Sequence, residues 1–128
     1  MPLYRCTVAQ GLTTYEQREH IAQAVTRIHC DITGAPPTFV HTFFTEDENN
    51  ELPEGTRAVM FGSIRSGRTA EQKKQLVAEM TEAVAETIGA STGEVMVATV
   101  DVPARWVMEG GALLPEPGEE EQWLATHG

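Results

Sequence analysis

Apolar positions fall into two matching sets along the chain. Residues 3–9 and 57–64 are short runs rich in β-branched, aromatic or aliphatic side chains, which predicts a strand at each. After each run comes a threonine, Thr14 or Thr69, placed three residues before Gln17 or Gln72. That is the capping-box spacing, and it predicts a helix start. Ile21, Val25, Ile28 and Ile32 then recur at helical spacing, as do Val77, Met80, Val84 and Ile88. Gly34 and Gly89 stand where a left-handed helix cap is wanted. Further strands over Thr38–Phe44 and Glu94–Val100 complete each set.

The two sets are copies of one unit. One constant shift lays Thr14 and Glu16–Gln17 on Thr69 and Glu71–Gln72, Thr26 on Thr81, Gly34–Ala35 on Gly89–Ala90, and Val40 on Val95, without a gap. This predicts one domain with repeats at 2–44 and 57–101, a linker over 45–56 and a C-terminal segment over 102–128. The fold class is α/β: two tandem β-α-β units forming a four-stranded sheet, with two helices on one face. Parallel strand pairs and right-handed crossovers follow from the unit itself. The direct repeat argues against a ferredoxin-like topology. The bare sheet face, assigned to Leu3, Ala58 and Met60 or their neighbours, is too apolar to stand in water and predicts self-association.

Composition narrows the partners. Of 128 residues, 41% are hydrophobic, and 19 acids against 9 Lys and Arg give a formal charge of -10. Nucleic acid and anionic membrane both select basic surfaces, so neither is expected as a partner. No apolar run is long enough to span a bilayer, and the start MPLYRCTVAQ has no signal-peptide pattern, so a cytoplasmic location is expected. Cys6 and Cys30 form no CxxC and read as small buried hydrophobes. The acid runs Glu46–Gly55 and Glu116–Gln122 read as solvated loop charge.

Residues present in one copy only are candidates for chemistry. Pro2 aligns with Arg57. Removal of Met1 would leave Pro2 as a secondary amine, a nucleophile and base; retention of Met1 makes the same nitrogen an amide, which cannot be a base. Arg65 and Arg68 align with Gln10 and Thr13. They flank Ser66-Gly67 ahead of a helix N-terminus and suit a small carboxylate or phosphate, or else are ordinary surface charge. His29 aligns with Val84 and is therefore expected to be at least partly buried. It is either a packing residue or an acid, base or hydrogen-bond donor to substrate. Glu109 lies outside both copies, in PARWVMEGG; it would have a raised pKa if buried, or else is an ordinary loop glutamate. His20, His41 and His127 have no ligand spacing with His29, so no metal site is expected.

The start MPLYRC, the segment VTRIHCDITG, the loop IRSGRTAEQK and the late segment VPARWVMEGGALLPEPG, in this order, resemble the tautomerase superfamily. Within it the chain is most similar to the cis-3-chloroacrylic acid dehalogenase group, over about residues 2–118. The resemblance implies a catalytic amine at Pro2, substrate-carboxylate binding by Arg65 and Arg68 with help from His29, and water activation by Glu109. It also implies a homotrimer, a small carboxylate as substrate and no cofactor. The dehalogenase pattern has a tyrosine on the strand before the glutamate where this chain has Ala98. Keto–enol isomerisation of a small 2-oxo or enol acid is therefore favoured over hydration or dehalogenation of a haloacrylate or acetylenic acid. A non-catalytic oligomeric module binding small anions or a protein partner is the alternative from another class.

Overall fold

The computed structural model describes residues 1–127. Its elements in chain order are β1 (Leu3–Ala9), α1 (Tyr15–Thr33), β2 (His41–Asp47), β3 (Ala58–Arg65), α2 (Ala70–Ile88), β4 (Val95–Val102), the short strands β5 (Met108–Glu109) and β6 (Ala112–Leu113), and α3 (Glu120–His127). The main sheet has the order β2-β1-β3-β4. Within each repeat the strands run parallel, and β1 meets β3 antiparallel across the join between the copies. This is the four-stranded sheet of two β-α-β units that the repeat predicts.

The helix ends form as the sequence predicts. Thr14 and Thr69 each accept the backbone N–H three residues on, while Gln17 and Gln72 return the bond to the cap N–H. Gly34 and Gly89 cap both helices in the left-handed region, at φ 77° and 70°. One stripe of each helix enters the core: Ile21, Val25 and Ile28 from α1, with Leu76, Met80, Val84 and Ile88 from α2. Leu76, rather than the predicted Val77, is the fully buried member. Each of these burials is worth about 1.5–3 kcal/mol, which makes this core the main cohesive element.

Both second strands begin later than predicted. Pro37–Phe39 forms a short 3-10 turn, favoured by the fixed φ of Pro37, so β2 starts at His41. Thr92–Glu94 does the same, with the Glu94 carboxylate bonded to the Ser91 N–H. Part of the acidic linker is structured: Asp47 accepts the N–H groups of Glu51 and Leu52, and Glu46 accepts that of Gly11.

The strand alternation corrects which residues form the open sheet face. Tyr4, Cys6, Val8, Ala58 and Met60 point into the helix side and are buried. The open face carries Leu3, Phe43, Phe61, Met96 and Val100, all exposed. Of the residues expected there, Leu3 faces outward, while Ala58 and Met60 face the helices. Phe61, the neighbour of Met60, takes the open side, because a single step along a strand reverses its facing. Phe61 of β3 lies opposite Arg5 of β1 and Ala98 of β4, at the middle of this face.

Candidate active site

Four segments meet at one end of the sheet: the chain start, the C-terminal turn of α1, the loop after β3 and the tail from β5 to α3. Pro2 is fully buried at the head of β1, and its carbonyl accepts the His41 N–H at 3.0 Å, tying the heads of β1 and β2. The terminal ammonium belongs to Met1 and bonds to the Glu109 carboxylate. With Met1 in place Pro2 is an amide, so this form holds no free proline amine. Burial pulls the pKa of the Met1 ammonium down, against the opposing pull of Glu109.

Glu109 is not buried as a lone acid. Its side chain keeps 29% of its exposure, and His41 Nδ1 lies 3.7 Å from the same carboxylate oxygen. That His41 nitrogen also lies 3.0 Å from the Phe39 carbonyl, which accepts a proton and cannot donate one. The tautomer with its hydrogen on Nδ1 therefore donates to Phe39, while the Glu109 oxygen lies beyond hydrogen-bond distance.

Arg65 and Arg68 do come together, but they are not surface charge. Arg65 is only 2% exposed. It donates from Nη1 to the Pro115 carbonyl at 2.7 Å and from Nη2 to Glu120 at 2.9 Å, with its guanidinium 5.3 Å over the Phe39 ring. Arg68 donates from Nη1 to the Thr33 carbonyl at 3.2 Å, and its Nη2 lies 3.9 Å from Glu120. Both therefore face the α1 C-terminus and the tail, while the N-terminal amide of α2 is served by its own capping box. Among the described residues, the Nε of Arg68 is buried without a hydrogen-bond partner, a donor still to be satisfied.

His29, 2% exposed, sits on α1 with its Nδ1 2.7 Å from the Tyr4 hydroxyl. Burial, reinforced by the charges of Arg68 and Arg65, pushes its pKa down to about 3, so it is a neutral imidazole at ordinary pH. Burial likewise raises the pKa of Tyr4, which stays a phenol. A Cβ on Gly62 would come 2.3 Å from the Tyr4 ring, so only glycine leaves room for Tyr4 in this position. Cys6 is buried, with its thiol pushed up to about 12, and serves as a core residue. Among the described residues, no three His, Cys, Asp or Glu side chains cluster closely enough to hold a metal.

Several contributors had no clear signal in the sequence. Tyr4 is visible only as a polar atom on the buried side of β1. Glu120 lies within an acid run that reads as solvated; instead it is half-buried against Arg65. Burial opposes ionisation there, but bonds from its own backbone N–H and from Arg65 hold the carboxyl below its usual range. Phe39 and Trp123 pack edge to face at 5.5 Å, and the Trp123 indole N–H bonds to the Leu113 carbonyl, folding the tail across the site.

Known proteins share this architecture. The family model described as tautomerase enzyme matches residues 63–114. A crystal structure of a member of the cis-3-chloroacrylic acid dehalogenase family is 36% identical, covers 99% of this chain and 93% of its own, and superposes with a TM-score of 0.89. The chain belongs to the tautomerase superfamily, in the cis-3-chloroacrylic acid dehalogenase family. Native Ps01740 is 35% identical over 84% of this chain and 100% of its own, with a TM-score of 0.78. A fused 4-OT described as an asymmetric trimer is 25% identical over 88% of this chain and 95% of its own, also at 0.78. A search of curated proteins gave no match. Members of the superfamily are enzymes, so the family places this chain among tautomerases and their dehalogenase and decarboxylase relatives. No described helix is long and apolar enough to cross a membrane.

Proposed function

We propose that the chain is a cofactor-independent tautomerase of small 2-oxo and enol carboxylic acids, working as a trimer once Met1 is removed. The observation that carries this reading is the position of Pro2: buried at the head of β1, with the terminal ammonium next to it meeting Glu109 and within the field of Arg65. Loss of Met1 converts the Pro2 nitrogen from an amide into a secondary amine at this point. Arg68, through its unpartnered Nε, and Arg65 bind the substrate carboxylate. The neutral amine takes a proton from one carbon and returns it at another. The arginines stabilise the enolate charge that develops and disfavour protonation of the amine, keeping it in the unprotonated form that can accept a proton. Neutral His29 contributes a hydrogen bond, not a charge. In processed protein, Pro2→Ala should lower kcat for an enol 2-oxo acid by at least about a hundredfold, the usual scale of a positioned acid–base group. Undiminished turnover by that variant would defeat the reading.

A second reading rests on Glu109. Its carboxylate directly faces the chain terminus, the place where Pro2 would protonate carbon while Glu109 activates water for addition to a 3-haloacrylate. The chain has Ala98 where the dehalogenase pattern has tyrosine, and no hydroxyl at that position can help orient the water. Tautomerisation is therefore the better-supported reaction. A Glu109→Gln variant that retains tautomerisation while losing any hydration would assign the two activities separately.

A further inference from the structure

The Met1 side chain occupies a slot of its own. It packs against a small hydrophobic cluster, separate from the main core, made of Phe39, Ala104 and Leu114 with Val107, Trp123 and Leu124. Charged groups stand at its rim. Arg65 lies over the face of Phe39, and Glu109 holds the Met1 ammonium. An open pocket of about 510 Å³ shares Phe39, Trp123 and Leu124 with this cluster, is also lined by Glu109, and opens beside the slot. Pro2 adjoins Met1 along the chain and Arg65 lies over Phe39 of the cluster, so a guanidinium, the nitrogen of Pro2 and an apolar recess adjoin one another.

We infer that the recess Met1 fills is the site for the substrate's tail, and that the processed protein selects carboxylic acids bearing an unbranched apolar chain. The argument is one of shape and chemistry. A methionine side chain is flexible, unbranched and about four heavy atoms long, and a recess that closes on it excludes water from a chain of that kind. The recess walls are aromatic and aliphatic, and the fixed polar groups stand at its rim, so a carboxylate at Arg65 and Arg68 leaves only the apolar end to enter. Short acids of the acrylate type would leave the recess unfilled. This inference rests on the proposed loss of Met1 but not on the proposed reaction, because binding alone reads it.

Straight-chain saturated acids from acetate to hexanoate, which have no proton chemistry to perform here, test it by calorimetry. Two forms of the full chain are compared: protein confirmed by intact mass to lack Met1, and protein confirmed to retain it. In the processed form the affinity should rise about fourfold per added methylene, the value of burying one CH₂. The form retaining Met1 should show no such increase. A flat series in the processed protein, or equal slopes in both forms, would overturn the inference. A rising series together with full activity of Pro2→Ala would leave the tail site standing and the proposed reaction fallen, so the two failures are distinguishable.

Discussion

His29 shows how one buried side chain links stability to chemistry. Its pKa falls from 6.5 to about 3 because burial and the neighbouring guanidiniums of Arg68 and Arg65 oppose its charge. Between those values the unfolded chain binds a proton at this position and the folded chain does not, so stability rises with pH across the window. The stability that His29 contributes is complete above about pH 6.5 and is lost as the pH falls toward 3. Glu120, with its depressed carboxyl, adds a loss of the same sign below its ordinary value of 4.5. Urea unfolding midpoints measured across this range should decline for the parent protein and decline less for His29→Gln. Equal declines would mean that His29 is not the group titrating. The alignment of His29 with Val84 predicts its burial; its partner Tyr4 could not be read from either repeat, because the pairing joins β1 to the far end of α1.

At the scale of elements, the tail from Ala104 to α3 is the part whose role changed most. Its stretch Glu116–Gln122 reads as solvated acidic charge, and α3 has no fully buried residue. Even so, Glu120 and the Pro115 carbonyl take up both terminal nitrogens of Arg65. In the proposed function a substrate carboxylate would share Arg65 with a carboxylate of the protein itself, and like charges at one guanidinium oppose each other. Glu120→Gln keeps a hydrogen-bonding side chain of the same shape while removing the charge. It should lower the Km for a small carboxylate about fivefold, corresponding to ~1 kcal/mol of relieved competition. A higher Km would show the opposite role for Glu120, that of aligning Arg65 for the substrate. The helices, by contrast, were legible almost to the residue, since capping boxes and glycine caps are local chemistry that needs no tertiary partner.

For the whole molecule, the open sheet face is the dominant feature. Leu3, Phe43, Phe61, Met96 and Val100 make one apolar surface, with Phe61 43% exposed at its centre. In the proposed trimer, further copies of the chain would remove this patch from water. Sedimentation equilibrium should give a trimer, and Phe61→Glu, which places a charge on that face, should dissociate it to monomers while leaving the helical circular dichroism intact. A parent protein that sediments as a monomer would refute this. By itself, the sequence determined the doubled β-α-β unit, its helix limits, the candidate set Pro2, His29, Arg65, Arg68 and Glu109, and the existence of an apolar surface. All of these but Glu109 are written in local periodicity and in comparison of the two copies; Glu109 lies outside both and stands out as a single acid in PARWVMEGG. Only the tertiary structure decided which strand residues face outward, that Glu120 sits on Arg65, that Tyr4 holds His29, and that Met1 lies in an apolar recess beside Glu109. Those facts depend on strand facing and on contacts between segments far apart in the chain, and no local pattern encodes either.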